Sequence, residues 1–409
     1  MSAPAPDSAT APYPGARVAI LGVLAVLVLL PVTLPVTVLR GLVQERFGVS
    51  EFLTSLFMSV NMLGAVIAAP LVGALADRIG RRRELIAGAL LCDSLLLFSL
   101  TLDLPFSLFM ALRFAEGAAH ITALSLLLAL ASNARGPDQR GRIMGMMGGG
   151  ITLGVAVGAP LGGFMGEANP LVPLYAGSLV VAAAAAASGW LLEETGGNEQ
   201  RPSLAAIASD LRAHPLLLTP LLFAFADRFT VGFYTTTFSL FLGRIHDLSA
   251  SSIGGLIATF MLPFALFSYP FGQLSERRVS RVGMICTGSL IYGCATLFVP
   301  WCPLPGLIPL MLGLGIASAV MFVPSLLITT DAAPAEIRTT AMGAFNAAGS
   351  LGFIAGPATG GLVSQWVATT QGWETGYRAA FGVAGVSEIV CVMVALPFLL
   401  RLRRSGLTT

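Results

Sequence analysis

The sequence Gly-Ala-Leu-Ala-Asp-Arg-Ile-Gly-Arg-Arg-Arg at residues 73–83 returns in weaker form as Gly-Gln-Leu-Ser-Glu-Arg at residues 272–277, 199 positions later. A second pattern, of one Arg, one Met and five Gly, lies between Arg140 and Gly163. It recurs 198 positions later, between Arg338 and Gly361. Two blocks repeated at nearly one offset indicate a chain built from two similar halves.

The composition is that of an integral membrane protein. The chain has 409 residues, of which 55% are apolar and 11% charged, and its mean hydropathy is +0.83. A soluble protein carries about 25% charged residues. No basic run with interleaved aromatic residues points to nucleic acid. No Cys/His cluster or nucleophile–base set points to a metal, a cofactor or an enzyme.

Twelve apolar segments approach the length of about 20 residues that a membrane-spanning helix needs. Their long apolar runs, with little alternation, exclude a β-barrel, so we predict an all-α membrane protein with two six-helix bundles. Because each half has an even number of spans, the halves are related by an axis along the membrane normal. The predicted spans lie near residues 17–39, 52–75, 84–102, 105–131, 142–166, 171–192, 215–241, 252–274, 281–300, 306–330, 340–366 and 379–400.

The chain is predicted to divide at a polar segment between the sixth and seventh spans. We expect a monomer, with both termini in the cytoplasm. The predicted parts are a disordered tail (1–16), an N-terminal bundle (17–192), a cytoplasmic linker (193–214), a C-terminal bundle (215–402) and a second tail (403–409).

The orientation follows from the arginines. Most of those outside the spans fall in the tails and in the loops on the same side as the tails. The opposite loops hold only Arg40, Arg46, Arg244 and Arg378. Because cytoplasmic loops are enriched in basic residues, we predict a multi-pass protein of the cell inner membrane in that orientation.

The motif at residues 73–83 joins the second and third spans. Its Gly80 permits a tight turn, and its lone acid, Asp77, can pair with a helix N-terminus or with an Arg. It resembles the signature of the major facilitator superfamily, and the resemblance extends from about Arg17 to Leu402. It implies a major facilitator fold and a latch role for Gly73, Asp77, Arg78, Gly80, Arg81 and Arg82. The second copy departs from the signature, with Glu276 in place of Asp and the later Gly missing.

The fourth span carries Arg113, Glu116, Gly117 and His120 on one helical face. Charged groups at membrane depth face a partner or an aqueous cavity. The segment is similar to the superfamily's fourth-helix motif, which implies that Arg113 and Glu116 take part in proton transfer. The alternative is a structural pair between residues three positions apart.

The fifth span has small residues at helical spacing, together with a proline. Such residues allow close helix contact. The pattern resembles the motif of the superfamily's drug/proton antiporters, although its Pro is displaced by one position. It therefore favours export, whereas plain helix packing remains the alternative. The motif residues are Gly154, Gly158, Pro160 and Gly163.

Asp227, in the seventh span, is a rival proton carrier. It is expected to point about 100° away from Arg228. In the superfamily the first, fourth, seventh and tenth helices line the cavity, whereas Asp93 and Glu388 fall on peripheral helices and are read as structural. The candidate cavity residues are Thr33, Thr37, His120, Arg228, Tyr234 and Asn346.

The sequence thus predicts a secondary transporter that exports a small organic molecule in exchange for protons. Its expected partners are a small-molecule substrate, protons and the lipid bilayer. The alternative is an uptake symporter or a facilitative uniporter. A sensor or an enzyme fits less well, because no soluble domain or catalytic set is found.

Overall fold

The structure is a computed structural model that describes residues 15–79, 81–132, 137–192, 209, 214–277, 279–334 and 337–404. The predicted tails and linker lie largely outside these residues. Every regular element in the described ranges is helical. The α-helices are α1 (Gly15–Thr33), α2 (Glu51–Ile79), α3 (Arg82–Ser99), α4 (Phe106–Ser132), α5 (Pro137–Gly166), α6 (Val172–Leu191), α7 (Leu218–Thr235), α8 (Thr237–Ile245), α9 (Ala250–Arg277), α10 (Arg281–Phe298), α11 (Leu304–Ala332), α12 (Arg338–Gln371) and α13 (Trp373–Arg404).

Helices α7 and α8 together form the seventh span, which is interrupted at Thr236. The side-chain hydroxyls of Thr235 and Thr236 donate to the carbonyl of Gly232 at 2.9 and 3.0 Å, and this competes with the regular helical ladder. The first span changes to a tight 3₁₀ turn over Leu34–Thr37, and Thr37 precedes Thr236 by 199 positions. The two halves therefore share a break at corresponding places.

Ten segments of the described chain are long and apolar enough to cross a membrane. The other two spans are α3 and α12. Helix α3 has only 18 residues and includes Arg82, Arg83, Glu84 and Asp93, and α12 is rich in Gly and Ala. Three of the four charged residues of α3 lie in its first turn, and Asp93 is buried, so the exposed side chains farther along the helix are apolar.

The helix pairings repeat between the halves. In the first half α1 packs on α5, α2 on α4 and α3 on α6. In the second half α7 packs on α12, α9 on α11 and α10 on α13. The halves meet through α2 with α12 and through α5 with α9. The predicted two six-helix bundles with repeated topology are thereby confirmed.

An ion pair joins the two halves at one end of the bundle. Helices α1 and α13 begin and end the described chain at the termini end, and we call the opposite end the far end. There, Glu51 of α2 accepts from Arg244 of α8 at 3.1 Å and from Ser364 of α12 at 3.3 Å. Arg244 also lies 4.0 Å from the ring centroid of Trp373. This buried carboxylate thus connects both halves.

Backbone groups reinforce the far end. The Phe52 amide donates to Gln365 at 2.9 Å. The Ser251 amide, at the start of α9, donates to Glu167 of the other half at 2.9 Å. That hydrogen bond is the main reason why the pKa of the exposed Glu167 carboxyl lies below its ordinary value.

The contacting faces of α5 and α12 are open towards the termini end. A Cβ at Gly163 would lie 2.3 Å from the Ala250 carbonyl, and one at Gly361 would lie 2.5 Å from the Ser55 hydroxyl. Gly149 and Gly343 lie on the same helical faces nearer the termini, and a Cβ there would meet nothing within 4 Å. The halves are thus tightly apposed at the far end and separate along these faces.

Candidate functional site

A buried ion pair occupies the middle of α4. The Arg113 side chain is 0% exposed, and its Nη1 donates to Glu116 Oε2 at 2.7 Å. Glu116 is the eleventh residue of the helix, about 15 Å from its first residue at 1.5 Å per residue. The predicted shared face is therefore present, and its two charges face each other.

Helix α2 supplies the remaining partners of this pair. Asn61 Nδ2 donates to Glu116 Oε2, and Arg113 Nε donates to the Phe57 carbonyl at 3.4 Å. The guanidinium carbon also lies 4.3 Å from the Phe57 ring centroid. The cation is thus covered by an aromatic face and a carbonyl in place of water.

A close helix crossing makes these contacts possible. A Cβ on Gly117 would lie 1.9 Å from the Asn61 carbonyl oxygen, and one on Gly64 would lie 2.0 Å from that of Phe114. Only glycine fits at both positions, so α2 and α4 approach closely enough for Asn61 to reach Glu116. Sequence reasoning missed Asn61, although a lone amide inside an apolar span is a signal that could have identified it.

His120 and Asp93 form a second buried pair in the first half. His120 Nδ1 lies 3.1 Å from Asp93 Oδ2, which joins α4 to α3. The other Asp93 oxygen has no hydrogen-bond partner among the described residues. The structure thus places His120, a predicted cavity residue, against α3 and pairs it with an acid that the sequence assigned a structural role.

The seventh span holds the corresponding charges of the second half. Arg228 Nη1 lies 3.6 Å from Asp227 Oδ2, so the two side chains contact each other despite their expected angular separation. The Arg228 guanidinium lies 4.5 Å from the Phe322 ring centroid and 5.6 Å from that of Phe353. Arg228 therefore lies between α7, α11 and α12, and its side chain is 25% exposed.

Tyr234 and Glu388 are buried on the α10 side of the second half. The Tyr234 hydroxyl lies 3.0 Å from the Thr296 hydroxyl of α10. Glu388, midway along α13, accepts a hydrogen bond from Ser289 of α10. Tyr234 thus contacts α10, although the sequence offered it as a cavity residue.

The remaining cavity candidates separate into two groups. Thr33 donates to the Val155 carbonyl at 3.1 Å, and Thr37 donates to that of Ala159 at 3.5 Å, so both hydroxyls are used in packing α1 on α5. Asn346 is exposed on α12, near the open glycine face. Of these three residues, only Asn346 has an exposed side chain.

The glycine motif of α5 packs against two neighbours. A Cβ on Gly154 would lie 2.7 Å from the Val26 carbonyl of α1, and one on Gly158 would lie 2.1 Å from the Thr33 hydroxyl. Gly163 and Pro160 face α9 of the other half. The motif residues therefore lie in helix contacts, and part of these contacts joins the two halves.

The predicted gate motif is only partly visible. Gly80 lies outside the described residues, and of Gly73, Asp77 and Arg78 the structure describes only the backbone, as part of α2. Arg81 pairs with Glu84 at an exposed site, at 3.2 Å, and Arg82 is buried. The latch role remains a prediction.

Comparisons with known proteins agree with this architecture. The family model of the Major Facilitator Superfamily matches residues 18–243 and again residues 220–408. A solved structure of a bacterial homologue of the human lysosomal transporter Spinster, in an inward-facing and unoccupied conformation, superposes with a TM-score of 0.81. That match has 16% identity and covers 97% of this chain and 98% of the other.

Two relatives have informative names. The chain is 23% identical to Multidrug resistance protein 2 of Bacillus subtilis over 59% of its length and 65% of the relative's. It is 26% identical to the 3-(3-hydroxy-phenyl)propionate transporter of Escherichia coli, over 86% of its length and 87% of the relative's. The names suggest different substrates, so the comparisons support transport without fixing what is carried.

Proposed function

Because the chain belongs to the Major Facilitator Superfamily and is a transporter of that family rather than an enzyme, we propose that it exports a small organic molecule in exchange for protons. The substrate class is a drug-like compound, a sugar or a metabolite. We place the protein in the cell inner membrane with its termini in the cytoplasm, as the arginine distribution favours.

The observation that carries this proposal is the Arg113–Glu116 pair. A carboxylate buried in the middle of a span is unfavourable unless it is paired or protonated. Here the pairing groups come from α4 itself and from α2. If the relative position of these helices changes during transport, Glu116 exchanges its partners for a proton, which is what a proton carrier requires.

The unequal ends of the bundle support alternating access. The far end is held by the Glu51–Arg244 contact, while the glycine faces of α5 and α12 are open near the termini. If the far-end contacts broke and the faces of α5 and α12 came together near the termini, the space between the halves would become accessible from the opposite side of the membrane. With cytoplasmic termini, the described state is open to the cytoplasm.

We propose that the motif from Gly73 to Arg82 holds the termini end closed in the opposite state. Replacing Asp77 by Asn removes the charge that, by the sequence prediction, pairs with a helix N-terminus or an Arg, an effect of about 1 kcal/mol. That shifts a two-state equilibrium several-fold. We expect much slower transport at unchanged expression, and wild-type rates in Asp77→Asn would exclude the latch.

Export is favoured over uptake by the α5 motif and by the similarity to a multidrug resistance protein. The experiment begins by identifying a substrate, through ligand-induced thermal stabilisation of the purified protein. Proteoliposomes then compare substrate flux driven by an imposed pH gradient with counterflow, which needs no gradient.

The variants separate coupling from transport. Glu116→Gln is expected to abolish gradient-driven flux and to keep counterflow. The control is Glu374→Gln, which alters an exposed acid paired with Arg378 on its own helix and should leave both activities unchanged. Full gradient-driven accumulation by Glu116→Gln would remove Glu116 as the carrier and leave Asp227 as its rival.

The second candidate is an uptake symporter or a uniporter. Arg228, partly exposed and flanked by Phe322 and Phe353, suits an aromatic carboxylate. The named substrate of the Escherichia coli relative is such a compound. A proton gradient that draws substrate in the same direction as the protons would establish symport, and flux indifferent to the gradient would establish a uniporter.

A further inference from the structure

Three buried oxygen atoms without a hydrogen-bond partner occur together in the second half. They are Asp227 Oδ1 of α7, Glu388 Oε1 of α13 and the Tyr292 hydroxyl of α10, and their residues are more than nine-tenths buried. The Tyr292 hydroxyl interacts electrostatically with both carboxyls, and Glu388 does so with Asp227. Buried polar atoms are nearly always paired, so three orphans whose residues interact electrostatically indicate a missing partner.

Tight helix contacts fix the position of this cluster. A Cβ on Gly385 of α13 would lie 2.5 Å from the Gly293 carbonyl oxygen of α10. Thr230, one turn beyond Asp227, donates to the Ala384 carbonyl at 3.4 Å, which aligns α7 with α13. The oxygens therefore come from three helices that cannot easily separate, unlike a chance grouping of surface acids.

The charges in the cluster do not balance. Arg228 accompanies Asp227 at 3.6 Å, whereas the groups next to Glu388 are uncharged. One of its oxygens accepts from Ser289, the Thr230 hydroxyl also lies near the carboxyl, and Oε1 has no hydrogen bond of normal geometry among the described residues. Two carboxylates against one guanidinium leave one negative charge, and an uncompensated buried charge is strongly unfavourable. The other titratable groups around Glu388 are Tyr234 and Cys391, and neither supplies a positive charge. Arg228, which also interacts with Tyr292, is the cation already paired with Asp227.

We infer that Asp227, Glu388 and Tyr292 form a binding site for one monovalent cation, either a proton or Na⁺. One added positive charge balances the cluster, and hard oxygen ligands suit both ions. None of the three ligands is a His nitrogen or a Cys sulfur, which are the ligands that transition metals prefer. The binding does not depend on the direction of transport, whereas its use in coupling rests on the proposed function.

The test uses the purified full-length protein and needs no substrate. One arm measures binding of radioactive Na⁺, and thermal stabilisation by NaCl against choline chloride at equal ionic strength. The other arm follows the infrared carbonyl band of a protonated buried carboxyl as pH is raised. Saturable Na⁺ binding identifies a sodium site, and a band that disappears with rising pH identifies a proton site.

The variants assign the signal to this cluster. Glu388→Gln is expected to abolish it, and Glu374→Gln, which changes an exposed acid paired with Arg378 on the same helix, is expected to keep it. If Glu388→Gln does not fold, Tyr292→Phe serves instead. It should weaken Na⁺ binding, or displace the proton equilibrium, by about fivefold, the usual effect of one lost hydrogen bond.

Three results would overturn the inference. These are the absence of both signals, a signal unchanged in Glu388→Gln, and a Glu388 band that stays protonated at every pH, which would make the acid purely structural. Transport assays play no part in these outcomes, so an error in the proposed function would leave the inference intact.

Discussion

The two halves share a helix arrangement but differ in how they hold buried charge. In the first half, Arg113 is paired with Glu116, and Asp93 is paired with His120. In the second half, Arg228 accompanies Asp227, and Glu388 is accompanied by the uncharged hydroxyls of Ser289 and Thr230. The first half thus contains a titratable base, His120, for its second acid, whereas the residues described around Glu388 include none. By our inference, charge balance in the second half therefore depends on a bound monovalent cation, either a proton or Na⁺.

The difference also shows that the repeat preserves the backbone and not the chemistry. The first-half charges lie on α3 and α4, while those of the second half lie on α7 and α13. By the repeated pairings, α7 corresponds to α1 and α13 to α6, whose described side chains include no acid. Duplicated packing thus leaves each half free to place its charges differently.

The largest effect is expected from Arg113→Ala. It leaves Glu116 buried without its cation, and breaking a buried pair in this way costs about 3–5 kcal/mol. Arg228→Ala should cost less, because that side chain is a quarter exposed and its carboxylate lies 3.6 Å away. Thermal unfolding of both purified variants in detergent measures the difference.

A double variant gives the control. Adding Glu116→Gln to Arg113→Ala removes the stranded charge and should recover part of the lost stability. Equal losses of stability in Arg113→Ala and Arg228→Ala would mean that the two ion pairs do not differ in strength. No recovery in the double variant would mean that the loss in Arg113→Ala does not come from the unpaired Glu116 carboxylate.

The sequence predicted the spans, their pairing into two halves and the charged face of α4, because these follow from hydropathy, repeat offset and helical period. It could not predict Asn61 as a partner of Glu116, since that contact depends on how closely α2 crosses α4. It assigned Thr33 and Tyr234 to a cavity on the basis of their chemistry alone. Helix rotation, which is set by packing, turned both towards neighbouring helices.

The next effect concerns the close crossing of α2 and α4, which brings Asn61 to the Arg113–Glu116 pair. Gly117→Ala would place a methyl group 1.9 Å from the Asn61 carbonyl, so α2 must move away from α4. Overpacking of this kind costs about 1–3 kcal/mol, and it separates Asn61 from Glu116. We expect a lower unfolding temperature and impaired gradient-driven flux.

Gly88→Ala is the matched control, because a Cβ there meets nothing within 4 Å and alanine is the better helix former. In the second half, Gly293→Ala should resemble Gly117→Ala, since its Cβ would lie 2.8 Å from the Glu388 Cβ. Stability unchanged by Gly117→Ala would show that the crossing has room to adjust.

A smaller effect is expected at the contact between the halves. Glu51→Gln keeps the shape of the side chain but removes the charge facing Arg244, at a cost of roughly 1–2 kcal/mol to the closed far end. That is a five- to thirty-fold shift towards opening. Labelling of Ser55→Cys, made in a background without the five native cysteines, by a membrane-impermeant thiol reagent reports the opening.

Glu374→Gln changes an exposed acid at the same end and should leave this labelling unchanged. If Ser55→Cys is labelled no faster in the Glu51→Gln variant than in its parent, the Glu51–Arg244 ion pair does not hold the far end closed. Some other contact then restrains the movement of the two halves.

The smallest effect is expected from Glu167, whose carboxylate accepts from the Ser251 amide across the halves at 2.9 Å. Because this bond lowers the pKa of Glu167, the ionised form favours the closed far end. Its contribution is complete above the ordinary Glu pKa and is lost as the pH at that face falls through the lowered value. Labelling of Ser55→Cys should therefore rise on strong acidification.

Glu167→Gln should remove that step while raising labelling at neutral pH by less than about twofold, as expected for an exposed charge. Asp103→Asn, an exposed acid at the same end, is the control, and a step that persists in Glu167→Gln would assign the acid sensitivity to another carboxyl.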